Sequence, residues 1–195
     1  MSIIERMQQC ICSEAQVLKH LESSISNHDI ELVNIIACCK GKIIFTGVGK
    51  NFMACTKSAA MFNSLGIVSM AISPLDMFHG DFGIISDDDV VIAISHSGET
   101  DILVSAVKHL HQTNRNIIAI TGNKASTLAQ ISDLYKEIIV DVEAGPFGIV
   151  PSSSITATLA YLDAVATALV EIKTISVDDF RSNHPGGVLG KGRKK

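Results

Sequence analysis

Apolar residues recur at helical spacing near the start of the chain, at Ile4, Met7, Ile11, Ala15, Leu18 and Leu21, and predict a helix over residues 3–25. A second amphipathic segment follows over residues 29–39. The pattern then changes to short, uninterrupted apolar runs of strand length at residues 42–46, 67–72, 90–94, 116–120 and 136–140. Runs rich in Val and Ile, without alternation, suit a parallel sheet covered on both faces. Helical segments over 52–65, 99–111 and 126–131 separate them, and a longer one covers 152–173. Strand alternating with helix predicts an α/β fold: a three-layer αβα sandwich around a five-stranded parallel sheet, doubly wound in the manner of Rossmann-like and flavodoxin-like domains. In such sheets ligands bind outside the carboxyl ends of the strands.

At 195 residues and 47% hydrophobic content the chain supports one substantial core, so we expect a single domain. Its parts are a helical lead-in over 1–40, an α/β core over 41–175 and a tail over 176–195 that contributes to the site. The net charge of −4 argues against a nucleic-acid partner, which needs a clustered excess of Lys and Arg. The basic run Lys191, Arg193, Lys194 and Lys195 reads as a solvated terminus. Cys10, Cys12, Cys38, Cys39 and Cys55 form no CxxC pair and no metal-ligand spacing, so reduced thiols and no metal are expected. The N-terminus lacks the pattern of a secretion signal, which points to a cytoplasmic protein. The uncharged stretch 144–162 contains Pro146, Gly148, Pro151 and three consecutive serines, which excludes it as a membrane span. Apolar surface left on helices is expected to serve contacts between subunits.

Five segments can carry chemistry. The first strand ends in Gly47-Val48-Gly49-Lys50, a turn that lets backbone approach a ligand and brings a cation with it. It is neither a Walker loop nor a full GxGxxG fingerprint, and a plain strand-to-helix turn fits it about equally well. The third strand runs into Ser95-His96-Ser97-Gly98-Glu99-Thr100. The hydroxyls of Ser95, Ser97 and Thr100, with Ser97 as helix cap, form a phosphate cradle without a metal. Glu99 should turn away from a bound phosphate, toward the sugar or Lys50. His79, in the loop Asp76-Met77-Phe78-His79-Gly80-Asp81, brings an imidazole that can serve ring opening or shuttle protons. Glu143 precedes the Gly- and Pro-rich apolar loop 144–151, which should desolvate its carboxyl and raise its pKa. The segment Ser182-Asn183-His184-Pro185-Gly186-Gly187 is too apolar to fray, and His184 can reach a site in its own chain or a neighbour's. For each segment a purely structural role competes: an N-cap, an exposed loop histidine, a solvated glutamate, a packing tail.

Taken together, Gly47-Val48-Gly49-Lys50, His79-Gly80-Asp81, Ser95-His96-Ser97-Gly98-Glu99, Glu143-Ala144-Gly145-Pro146-Phe147-Gly148 and His184-Pro185-Gly186-Gly187 resemble the sugar isomerase (SIS) domain family, and more narrowly its arabinose-5-phosphate isomerases. The resemblance implies interconversion of D-arabinose 5-phosphate and D-ribulose 5-phosphate through a cis-enediol, without a cofactor, generally feeding synthesis of the eight-carbon acid Kdo. It implies that Ser95, Ser97 and Thr100 hold the phosphate and that Lys50, His79, Glu99, Glu143 and His184 form the catalytic set, with Gly47 and Gly49 in the substrate loop. It also implies a homo-oligomer, a dimer or a dimer of dimers. Asn51 and Phe52 stand where many relatives have Ser-Gly, and Gly145 where a Cys is common. Many members carry a pair of CBS domains after the isomerase domain; the sequence ends at Lys195 before such a pair, and the expectation is an isomerase domain that works without it. Two alternatives compete: an isomerase of another phosphosugar, and a non-catalytic regulator that binds a sugar phosphate. The first should lack the His-Pro-Gly-Gly tail. The second usually carries a basic helix-turn-helix, which does not precede the first strand here.

Overall fold

A computed structural model describes residues 1–112 and 116–186. Gly187 and the basic run after Gly190 lie outside the described residues. Helices α1 (Ile3–Ser23) and α2 (Asn27–Ala37) precede strand β1 (Ile43–Gly47). The chain continues through α3 (Lys50–Ser64), β2 (Ser69–Ala71), the short α4 (Pro74–Met77) and a 3-10 turn (Asp81–Ile84) to β3 (Val90–Ile94). Then come α5 (Asp101–His111), β4 (Ile117–Thr121), α6 (Thr127–Ile131), β5 (Leu134–Glu137), α7 (Ser153–Ile172) and α8 (Val177–Ser182).

The five strands form one parallel sheet in the order β2-β1-β3-β4-β5. From β1 the chain moves one way to β2; from β3 it moves the other way to β4 and β5. Right-handed connections therefore place α3 on one face and α5 and α6 on the opposite face. Side-chain parity agrees with this. Ile43, Phe45, Val90, Ile92 and Ile118 pack with α2, α3 and α7, while Ile44, Val91, Ala93, Ile117 and Ala119 pack with α4, α5 and α6. Both faces are covered, which is why the strands read as unbroken apolar runs.

α7 is long and apolar enough to cross a membrane by length and composition. It instead lays Ala157, Tyr161, Leu162, Val165 and Leu169 into the core against α3 and the sheet. α1 is covered only in its second half: Val17, Leu18 and Leu21 pack inward, whereas Ile4, Met7 and Ile11 are exposed.

The fifth strand sits earlier than the apolar run predicts, at Leu134–Glu137 rather than 136–140. A buried ionic knot fixes this register. The Lys136 ammonium lies 2.9 Å from Asp29 Oδ1 and donates to the Ser24 carbonyl, and the Tyr161 hydroxyl donates to the same Asp29 oxygen. A charge can be buried here only because each of its partners is in place. The tail, expected to stay ordered and contribute to the site, contains helix α8, which begins with a capping box of Ser176 and Asp179.

Candidate functional site

β1 and β3 are neighbours whose following connections leave in opposite directions, so a crevice opens at their carboxyl ends. From β1 the chain passes Gly47 and Val48 to Gly49, whose φ of 61° belongs to the left-handed region and starts α3 at Lys50. From β3 it enters the hydroxyl turn. Ser95 Oγ lies 3.0 Å from Thr100 Oγ1 and 3.5 Å from Ser97 Oγ, and it accepts a hydrogen bond from the Gly98 amide. Gly98 has φ 67°, and a Cβ there would stand 2.1 Å from Ser126 Oγ, so only glycine lets the turn close against α6. Ser97 does not cap the helix as expected. α5 starts at Asp101 with Thr100 as N-cap, and Ser97 Oγ accepts instead from the Glu99 amide.

Glu99 is turned away from the hydroxyls, but not toward Lys50. Its carboxylate accepts from the Thr127 amide at 2.7 Å, at the start of α6. That amide, with the Thr127 hydroxyl, holds the exposed carboxyl below its ordinary pKa.

Across the crevice, the segment between β5 and α7 brings Glu143 to the N-terminus of α7. The carboxylate accepts from the Ser152 amide at 3.0 Å, the Ser154 amide at 3.1 Å and the Ser154 hydroxyl. The expectation of a raised pKa is corrected here. Burial does push the carboxyl up, but the Ser154 hydroxyl, the two amides and the nearby His96 together outweigh it and hold it below its usual value. The apolar loop desolvates this group as anticipated; the helix end behind it supplies the donors.

A cleft of about 390 Å³ joins the two walls, lined among others by Val48, Lys50, Asn51, His96, Glu143 and Ser154. Of the candidate catalytic residues it brings together Lys50 and Glu143. His79 is exposed beyond α4 on the same edge of the sheet, outside this cleft. His184 lies at the other edge. Its neighbour Asn183 donates to the carbonyl of Ser64, at the far end of α3, and the His184 ring stacks on Phe180 at 4.2 Å with Nδ1 2.8 Å from the Phe180 carbonyl. A larger cavity of about 520 Å³ lies between α1 and residues 139–145 and contains Glu143 but neither the glycine turn nor Lys50. Sequence reasoning missed His96 as a site residue. The signal was present: His96 stands between two candidate phosphate ligands in the turn that leaves β3.

A doubly wound sheet with a hydroxyl turn at its switch point and a carboxylate across the cleft belongs to the α/β domains that bind small molecules at strand ends. The family model of the SIS domain matches residues 35–168, and the chain belongs to the SIS domain family. It is 36% identical over 190 residues to arabinose 5-phosphate isomerase KpsF of Escherichia coli, covering 97% of this chain and 58% of that protein. It is 36% identical over 184 residues to arabinose 5-phosphate isomerase KdsD of E. coli K12, covering 94% of this chain and 56% of the relative. The chain thus spans little more than half the length of these relatives. A structure of an E. coli CFT073 protein in complex with arabinose 5-phosphate superposes with a TM-score of 0.90 at 35% identity, over 95% of this chain and all of that one.

Proposed function

We propose that this chain is an aldose–ketose isomerase that interconverts D-arabinose 5-phosphate and D-ribulose 5-phosphate through a cis-enediol. The observation that carries the reading is the placement of an ionised, desolvated Glu143 and the Lys50 ammonium in one cleft beside the hydroxyl turn. The relatives' names and the sugar phosphate bound to the E. coli CFT073 protein support it.

In this reading the phosphate sits on Ser95, Ser97 and Thr100 at the start of α5, where hydroxyls and helix amides favour an anion. Gly47 and Gly49 let backbone approach the sugar. Glu143 removes the proton from C2 of the open aldose and returns it to C1, and Lys50 stabilises the negative charge that develops on oxygen. His79 and His184 serve ring opening, while Glu99, bonded to the Thr127 amide, braces the hydroxyl turn against α6 without touching the sugar. Because α3 separates His184 from Lys50 of the same chain, His184 acts in the cleft of a neighbouring copy. The exposed Ile4, Met7 and Ile11 of α1 supply apolar surface for such a homo-oligomer, a dimer or a dimer of dimers. The substrate and its product are small cytoplasmic metabolites, and we place the enzyme there.

The test is to incubate chelator-treated protein with D-ribulose 5-phosphate and a panel of other phosphosugars in D₂O and follow the products by NMR. Arabinose 5-phosphate carrying deuterium at C2 supports the substrate and the enediol route. Turnover of a different sugar alone removes the substrate assignment, and binding without any turnover removes the isomerase.

A further inference from the structure

His96 is half-buried and lines the same cleft as Lys50 and Glu143. Among the described residues it is the only histidine there, since His79 and His184 lie elsewhere. Its ring nitrogens make no hydrogen bond among the described residues, in contrast to His28 and His184, each of which faces a backbone carbonyl. Its backbone is anchored firmly: the His96 carbonyl accepts from the Gly122 amide at 2.8 Å and from the Thr121 hydroxyl at 3.3 Å. The ring lies directly over Gly122, where a Cβ would come within 2.4 Å of Cε1 and 2.6 Å of Nδ1. Glycine at the end of β4 therefore makes the seat for this imidazole. The result is a fixed backbone, a seated ring and unengaged nitrogens in a cleft that also holds a carboxylate. Lys50, Asp141 and Glu143 are the charged groups that share the cleft with it.

We propose that the His96 imidazole carries the proton between O1 and O2 of the sugar, so that carbon and oxygen proton transfers are divided between Glu143 and His96. The proposal rests on the isomerase reading above and deepens it. In the aldose-to-ketose direction Glu143 takes the C2 proton; the C2–H electron pair becomes the C1=C2 bond, and the carbonyl pair moves to O1. Imidazolium at His96 protonates O1, which leaves the enediol and a neutral ring. The neutral ring then takes the proton from O2, the C2=O2 bond forms, and C1 recovers the proton held by Glu143. Both groups end as they began, and no co-reactant is consumed.

His96→Asn tests this, because it keeps a polar side chain in the seat but cannot shuttle a proton. Turnover should fall about 100-fold or more with KM within about threefold, as general acid–base loss predicts. Exchange of the C2 hydrogen with D₂O should fall far less, so the ratio of exchange to isomerisation rises. The kcat–pH profile should lose one limb as well. A companion variant, His96→Ala, should regain turnover when free imidazole is added, a rescue that a merely structural histidine does not show. Equal losses of exchange and turnover with an unchanged pH profile and no rescue, or a kcat within about threefold of the parent, overturn the proposal. A parent protein that neither exchanges nor isomerises any phosphosugar overturns the isomerase reading itself, and this proposal with it.

Discussion

Two glutamates in this molecule use the same local device and arrive at different ends. Glu99 and Glu143 each place a carboxylate on backbone amides at a helix N-terminus, α6 in one case and α7 in the other, and each carboxyl is held below its ordinary pKa by those bonds. Glu99 does so in the open, where water competes for every charge it faces. Glu143 does so at 9% exposure, with Lys50 and His96 across a cleft. Hydrogen-bond donors alone make a cap; donors combined with desolvation and a facing cation make a carboxylate whose charge matters to a bound molecule. The same capping bonds thus serve two roles, and only burial and the facing groups tell them apart.

The sharpest break comes from removing charge without changing shape. Glu143→Gln should lower kcat about 1000-fold, within the range for a general base, whereas Glu99→Gln should stay within about threefold, as read by steady-state isomerisation. Similar losses for both would erase the distinction. A smaller effect separates the backbones of the two segments. Gly98→Ala combines φ 67° with a collision against Ser126, while Gly148→Ala has φ 64° but meets only Val142 Cγ1, at 2.9 Å. Gly98→Ala should raise KM for the sugar phosphate about tenfold or more, and Gly148→Ala by less. Thr100→Val, which removes one cradle hydroxyl at constant volume, should cost about tenfold in KM with kcat nearly kept, the value of a hydrogen bond to a charged group. The smallest effect is in stability. Glu143 has a folded pKa below the ordinary 4.5, so its contribution is fully present above that value and is lost as pH falls through the lower, folded pKa. Denaturant unfolding should therefore show Glu143→Gln less stable than the parent by about 1 kcal/mol at pH 7, with the gap closing in acid. Glu99→Gln should show no comparable gap.

The layers and most strands were legible because burial on both faces writes itself as uninterrupted Val and Ile, and because the glycine and serine turns fall directly after those runs. β5 was misplaced by the same rule: the run 136–140 is more apolar than Leu134–Glu137, yet Lys136 enters the core on its bond to Asp29, more than a hundred residues away. Long-range charge pairing leaves no local signature. The sign of the Glu143 shift failed similarly. The loop beside it announced desolvation, but the donors that reverse the outcome lie nine and eleven residues on, at Ser152 and Ser154, and become neighbours only when α7 turns back. The position of His184 was open for a topological reason: nothing near it in sequence says which end of α3 the tail meets.

That helix has a consequence of its own. α3 starts at Lys50 and ends at Ser64, a span of about 22 Å for its 15 residues, with Lys50 at one end and the tail bearing His184 docked at the other. On the proposed assembly each chain lends its histidine to one cleft and its lysine to another. Inheritance then acts on halves of sites rather than on whole ones. Two alleles, one defective at His184 and one at Glu143, would each be silent alone, yet expressed together they would assemble some intact clefts from the sound half of each, while a mixed cell carrying one bad allele would lose only the clefts its product enters.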